Sequence, residues 1–204
     1  MIDALEYIKK KYNLNGDEDN PIKLPKFFRE DFDIMLAELG FNEGCEVGVL
    51  AGEHAKILME ANPNLHLNLI DSYKNYPGMV VRKNSLDWYR QKTQEILCGK
   101  NYSQYILSSL EAVNFFEDNS LDFVYLDGNH KFDFVIRDII EWSKKIRKGG
   151  IISGHDYNSE RSIGVLQAVN AYVKAHKISP FFMTSRSRKK GHPNVTRTYF
   201  WIKT

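Results

Sequence analysis

Residues 45–52 read Cys-Glu-Val-Gly-Val-Leu-Ala-Gly, and Asp71 ends the apolar run 65–70, 23 positions after Gly48. A short strand, a glycine turn, a helix and a second strand ending in a carboxylate form half of a nucleotide-binding α/β domain. In such a unit the acid is placed to accept hydrogen bonds from ribose hydroxyls. The stretch therefore predicts a nucleotide site and leaves open which nucleotide it takes.

Composition favours an ordinary soluble globular protein. The chain has 204 residues, of which 43% are hydrophobic and 26% charged, as expected for one globular domain. The N-terminus carries acids among its apolar residues, and no run approaches the roughly 18 apolar residues of a membrane span. With two cysteines and a net charge of +2, we expect a cytoplasmic protein without a disulfide framework, a membrane association or a nucleic-acid partner.

The apolar patterns predict seven strands that alternate with helices along the chain. Helical spacing of apolar residues predicts helices within 28–39, 55–59, 88–97, 135–146 and 166–173, and a short amphipathic helix near residues 5–12. Predicted strands cover residues 45–49, 65–70, 105–108, 121–128, 151–154, 181–184 and 198–202. This order predicts an α/β fold of the Rossmann-like, three-layer type, whose mostly parallel seven-stranded sheet ends in an antiparallel hairpin. We expect residues 1–27 to be a helical appendage and residues 28–204 to form the main α/β domain.

Glu46 narrows the choice of nucleotide. A dinucleotide site needs Gly-x-Gly-x-x-Gly, so that the backbone can approach a pyrophosphate, but this chain has only Gly48 and Gly52 in the turn. Glu46 replaces the first glycine, and its carboxylate would repel phosphates. It would attract a cation such as an ammonium or a sulfonium group. A lone Glu-x-Gly is, however, most often an ordinary strand and turn.

Two later segments add specificity. Residues 121–133 read LDFVYLDGNHKFD, and residues 148–157 read KGGIISGHDY. Together with the turn and Asp71, they resemble the class I S-adenosylmethionine-dependent methyltransferases, in particular the branch of the macrolide-sugar O-methyltransferases and cephalosporin hydroxylase-like proteins. The resemblance implies S-adenosylmethionine as the cofactor and a small-molecule hydroxyl, on a sugar or natural product, as the methyl acceptor.

The resemblance also implies a set of cofactor-binding residues. Glu46, Gly48 and Gly52 would line the methionine and ribose part, Asp71 would hold the ribose hydroxyls, and Ser72 would lie beside it. Past the third strand, the position that usually contacts adenine is occupied by Ser109 and Leu110, although the usual acid is absent there. The remaining expected cofactor contacts are His54, near the amino-acid carboxylate, and Asp127.

Acids and histidines follow two central strands. Asp127 ends one predicted strand, and His155 and Asp156 end the next; if the strands are neighbours, these side chains converge at one sheet edge. By resemblance to metal-dependent relatives, Asp127, His155 and Asp156 would bind a divalent metal, and the imidazole would favour manganese, iron or zinc over magnesium. Alternatively, His155 is a general base without a metal. His130 is a further catalytic candidate that faces either the acceptor or the following helix.

Alternative interpretations stay open at this point. Asp127 and Asp156 are also suited to capping the helices that follow them. The basic run Arg186, Arg188, Lys189 and Lys190 is typical of a solvated surface, but it would also suit an RNA methyltransferase. A further alternative is a binding module that keeps the cofactor fold without turnover. The chain could also form a homo-oligomer. We expect residues 1–25 and the loops after Asp71, Asp156 and Thr184 to shape the acceptor site.

Overall fold

The computed structural model describes residues 2–15, 19–75, 83–158, 163–185 and 197–204. Its centre is one eight-stranded sheet with the strand order β1-β7-β8-β6-β5-β2-β3-β4. The strands are β1 (Ile22–Lys23), β2 (Glu43–Val47), β3 (His66–Ile70), β4 (Tyr102–Tyr105), β5 (Leu121–Leu126), β6 (Ile146–Gly154), β7 (Phe181–Met183) and β8 (Tyr199–Ile202). All neighbours pair in parallel except β8, which is antiparallel to both β6 and β7.

Seven α-helices connect these strands within the described residues. They are α1 (Ala4–Tyr12), α2 (Arg29–Glu38), α3 (Glu53–Ala61), α4 (Leu86–Ile96), α5 (Ser109–Ala112), α6 (Phe132–Lys145) and α7 (Ile163–Ala175). Local sequence explains several ends: Asp3 caps α1 and Ser85 caps α4 through hydrogen bonds from backbone amides. Lys144 and Lys145 lie in the last turn of α6, where their positive charges are favourable at the negative end of the helix dipole.

The sheet separates two apolar layers. Along β5, Phe123 and Tyr125 point into a cluster with side chains from α1, α2 and α3. Val124 and Leu126 point the opposite way, into a cluster with side chains from α6 and α7. Because both faces of the central strands are covered, these strands read as continuous apolar runs in the sequence. The predicted three-layer α/β fold with its antiparallel C-terminal hairpin is confirmed.

Two details differ from the predicted strands. The sheet has eight strands rather than seven, because Ile22 and Lys23 pair with Phe182 and Met183 at the edge. The predicted strand at residues 105–108 instead covers Tyr102–Tyr105. The reason is that Ser108 caps α5, with Glu111 completing the capping box, so that the chain turns into a helix where the prediction continued the strand.

The N-terminal segment packs on the central sheet. Ile8, Leu24 and Phe27 are fully buried and belong to the same apolar cluster as β5. The predicted helix of this segment is present as α1, and the division of the chain at residue 28 stays a prediction. Within the described ranges, the helices lack the length and apolarity needed to cross a bilayer.

Candidate active site

The glycine turn after β2 brings the backbone of two strands into close contact. Gly48 has φ +92°, and its amide donates to the Ile70 carbonyl oxygen at 2.8 Å. A Cβ at Gly48 would overlap the backbone of Asp127 and Gly128. Only glycine fits this position, because it combines a left-handed conformation with a close backbone approach. The turn thus lies directly against the end of β5.

Asp71 holds the turn in shape. Its Oδ2 accepts hydrogen bonds from the amides of Val49 and Leu50 at 3.1 and 3.0 Å, and its Oδ1 accepts one from Tyr73 at 2.8 Å. The acid predicted to bind ribose therefore also fixes the loop that would surround the ribose. One carboxylate links the end of β3 to the glycine turn of β2.

A cavity of about 400 Å³ opens at this edge of the sheet, a volume within the range of small-molecule sites. Its walls include six of the predicted cofactor residues: Gly48, Asp71, Ser72, Ser109, Leu110 and Asp127. The wall residues that the sequence did not indicate include Tyr73, Phe134 and Asp138. Asp138 had a visible signal, since it is an acid on the apolar stripe of α6, between Val135 and Trp142.

The other three predicted cofactor residues do not line the cavity. Gly52 begins α3 with φ +74°, while Glu46 and His54 are buried beside the turn. His54 contacts Glu46 through Nδ1 at 2.9 Å and Asp33 through Nε2 at 3.1 Å. We call Arg29, Asp33, Glu46 and His54 the buried quartet, because the last three are buried and the half-buried Arg29 lies within electrostatic reach of the two carboxylates.

The buried quartet places a charged imidazole in the core. Burial and the nearby Arg29 both lower the pKa of His54, but Asp33 and Glu46 outweigh them and raise this pKa to about 9. One oxygen of each carboxylate, Asp33 Oδ2 and Glu46 Oε2, lacks a hydrogen-bond donor among the described residues. Arg29 and Asp33 were not predicted to belong to the site, because polar residues next to the apolar face of a helix are ordinarily exposed to solvent.

Asp127 and the His155–Asp156 pair meet as expected. Leu126 pairs with Gly154 across β5 and β6, so the residues that follow are neighbours at the carboxyl edge. His155 Nδ1 lies 3.8 Å from Asp127 Oδ2 and 3.7 Å from Asp156 Oδ1. His130 joins the same group, with Nε2 3.4 Å from Asp127 Oδ1 and 3.1 Å from Asp156 Oδ2.

This group has the donor set of a metal site. Asp127, His130 and Asp156 each offer a ligand atom, and these atoms lie within 4.8 Å of one another. Two carboxylate oxygens and one imidazole nitrogen fit manganese, iron or zinc better than magnesium. The sequence prediction named His155 as the nitrogen ligand, whereas the geometry brings His130 into the set of three.

Fold and site together define a class of protein. A doubly wound sheet, a cavity at its carboxyl edge, an acid after the second central strand and a carboxylate–histidine group beside the cavity are the features of a Rossmann-like enzyme that acts on or with a nucleoside-containing ligand.

Comparisons with known proteins identify the family. The family model described as "Methyltransferase domain" matches residues 45–157. The chain is also 39% identical over 163 residues to the uncharacterized protein R132 of Acanthamoeba polyphaga mimivirus, covering 78% of this chain and 68% of that protein. The chain therefore belongs to this methyltransferase domain family.

Solved structures share the fold at low identity. The O-methyltransferase TomG of Streptomyces achromogenes, solved with S-adenosylmethionine, has a TM-score of 0.62 at 15% identity, covering 100% of this chain and 91% of that one. An O-methyltransferase of Bacillus cereus, solved with S-adenosylhomocysteine, has a TM-score of 0.59 at 10% identity, with 100% and 92% covered. With the family match, these findings confirm the predicted class I, Rossmann-like methyltransferase.

Proposed function

We propose that this chain transfers a methyl group from S-adenosylmethionine to a hydroxyl group of a small molecule, such as a sugar or a natural product. The observation that carries the proposal is the position of Asp127. This residue lines the cavity beside Gly48 and Asp71 and also belongs to the carboxylate–histidine group. A cofactor site and a proton-accepting site therefore meet at one residue.

The residues present fit the cofactor. Gly48 and Asp71 line the cavity of about 400 Å³, which is of suitable size for a nucleoside. Asp71 would accept hydrogen bonds from the ribose hydroxyls. Glu46 is buried beside the turn and is engaged by His54, outside the cavity wall, so its contact with the methionine part stays a prediction. Ser72, Ser109 and Leu110 would form the remaining contacts.

S-adenosylmethionine supplies a methyl group on a sulfonium, which the acceptor oxygen takes in an in-line displacement. The chain must hold the acceptor and remove its proton, because a sugar or alkyl hydroxyl is a weak nucleophile. Asp127 lines the cavity and would receive that proton at a carboxylate oxygen. His155 Nδ1, 3.8 Å from Asp127 Oδ2, would take the proton onward.

A divalent metal is a second way to activate the acceptor. Asp127, His130 and Asp156 would hold it, and the metal would lower the pKa of a bound hydroxyl. His155 would then be the residue beside the metal that accepts the proton. We propose the metal as an addition to the methyl transfer rather than as a separate function.

The RNA methyltransferase alternative depends on residues 186–190, which lie outside the described residues, as do parts of the loops after Asp71 and Asp156. A cytoplasmic location and a homo-oligomeric state stay predictions. The small-molecule acceptor is favoured because TomG, which shares the fold, is an O-methyltransferase involved in tomaymycin synthesis.

Calorimetry with S-adenosylmethionine and S-adenosylhomocysteine tests the cofactor site. We expect both to bind the wild type. Asp71→Ala should bind at least about tenfold more weakly, because a hydrogen bond to a charged group contributes about 1.5–3 kcal/mol. Asp87→Ala, which changes an exposed acid on α4, is the matched control and should bind like the wild type. No binding to a folded wild type would overturn the proposal.

A turnover screen tests the acceptor class. Release of S-adenosylhomocysteine is followed with a panel of hydroxylated sugars and natural products, and separately with RNA. Turnover with a small molecule supports the proposal. Turnover with RNA alone, lost when the four basic residues of 186–190 are neutralised, would replace it by the RNA alternative. Cofactor binding without turnover on either panel would favour the non-catalytic module.

A further inference from the structure

Asp138 is a buried acid in the wall of the cavity. It comes from the middle of α6 and is only 7% exposed, yet it lines the cavity together with Ser109 and Leu110. A buried carboxylate is costly unless hydrogen-bond donors satisfy it. The donors around Asp138 therefore decide what this residue does.

One oxygen of Asp138 is held by a fixed chain of hydrogen bonds. The Ser109 hydroxyl donates to Asp138 Oδ1 at 2.5 Å, and the Trp142 indole N–H donates to Ser109 Oγ at 2.8 Å. This chain leaves Oδ2 without a donor among the described residues. Oδ2 faces Gly128, lying 3.9 Å from the position that a Cβ on Gly128 would take, and Gly128 also lines the cavity.

The other acids of the cavity wall are already engaged. Asp71 accepts three backbone amides, and Glu111 Oε2 accepts both the amide and the hydroxyl of Ser108. Asp127 belongs to the histidine group. Glu111 is exposed, so among the described residues Asp138 is the buried wall acid with an oxygen available to a ligand.

The surroundings of Asp138 suit a flat ring with an amino group. Leu107, Leu110 and Phe134 contribute apolar wall that can cover the faces of a heteroaromatic ring. An acceptor oxygen beside such a wall selects a ligand edge that carries an N–H donor and rejects one that carries a carbonyl. Burial raises the pKa of Asp138 to about 6, partly offset by the Ser109 hydroxyl, so the carboxylate is mostly ionised at neutral pH.

We propose that Asp138 reads the base of the cofactor by accepting a hydrogen bond from the 6-amino group of adenine through Oδ2. The proposal rests on the proposed S-adenosylmethionine site and adds to it the residue that recognises the base. From the sequence, the contact with adenine was expected in the segment after β4, where Ser109 and Leu110 carry no acidic group. In this proposal the acid comes from α6 instead.

The test compares S-adenosylhomocysteine with S-inosylhomocysteine, whose base has a carbonyl in place of the 6-amino group. By calorimetry, the wild type should bind S-adenosylhomocysteine about 10- to 100-fold more tightly, the range expected for a hydrogen bond to a buried charged group. Asp138→Asn can keep the bond from Ser109 at its oxygen and turn its NH₂ towards the ligand. This variant should lose that preference or invert it.

Controls separate recognition from folding. Asp133→Asn changes an exposed acid on the same helix and should keep the wild-type preference. If Asp138→Asn weakened both ligands equally, Asp138 would be merely structural and the proposal would be overturned. Equal binding of both ligands by the wild type would also overturn it, whether or not the variant folds. Binding of neither ligand would instead refute the cofactor site itself.

Discussion

The buried quartet predicts that the protein loses stability as the pH rises towards 9. His54 has a pKa of about 9 in the folded chain, against 6.5 for an unperturbed histidine. In the folded state two carboxylates stabilise the imidazolium: Asp33 Oδ1 lies 3.1 Å from Nε2, and Glu46 Oε1 lies 2.9 Å from Nδ1. In the unfolded chain the same group loses its proton near pH 6.5.

The direction and the magnitude of the change in stability follow from the linkage between protonation and folding. Because the folded-state pKa is raised, the stabilisation is fully present below pH 6.5 and is lost as the pH rises through 9. A shift from 6.5 to about 9 corresponds to about 3 kcal/mol at about 1.4 kcal/mol per unit. For a domain of ordinary stability, about 5–15 kcal/mol, this is a large fraction.

Urea unfolding followed by circular dichroism at pH 6, 7.5 and 9.5 measures the effect. The wild type should lose about 3 kcal/mol between the extremes, whereas His54→Gln should start lower and change much less. His66→Gln, which alters a half-buried histidine bonded to Glu43 and Ser103, should keep the decline. NMR titration of the His54 ring in the wild type gives an independent reading that does not require the variant to fold. A wild-type stability that is flat over this range, or a ring that titrates near pH 6.5, would refute the reasoning.

Three further predictions concern the turn, the metal site and the base of β2. Gly48→Ala should lower the free energy of unfolding by about 3 kcal/mol or more, because φ is +92° and Cβ overlaps the end of β5; Gly99→Ala, with positive φ in open space, should cost only about 1 kcal/mol in the same urea titration. Mn²⁺ should bind the wild type in electron paramagnetic resonance titrations and bind His130→Gln at least about tenfold more weakly, as expected for a lost ligand; equal binding by both, with His176→Gln as the surface control, would remove His130 from the site. Asp122→Ala should cost about 2 kcal/mol, since Asp122 accepts the amides of Asn42 and Glu43 and the Arg147 guanidinium; the control Asp118→Ala loses an exposed ion pair and should unfold at the wild-type urea midpoint.

The sequence predicted the parts of this fold that depend on patterns along one segment. Parallel strands covered on both faces, such as β5, are continuous apolar runs. Once their order is known, residues at their ends must meet. For this reason the convergence of Asp127 with His155 and Asp156 was predictable, and so was the grouping of Gly48 with Asp71.

Features that depend on contacts between distant segments were not predictable in this way. Strand β1 has only two residues and exists because β7 offers an edge, so no local pattern marks it. The buried quartet joins α2, β2 and α3, and nothing in α2 alone shows that Arg29 and Asp33 face inward. Likewise, Asp138 reaches the cavity from α6, which is far from the glycine turn in the sequence.

The pairing of β1 with β7 also sets an order of events during synthesis. Ile22 and Lys23 emerge from the ribosome early, but their partners, Phe182 and Met183, follow some 160 residues later. Until then, Ile8, Leu24 and Phe27 lack the Phe182 and Phe200 side chains of the cluster that buries them. A nascent chain therefore keeps this apolar segment incompletely covered until the C-terminal strands have been made.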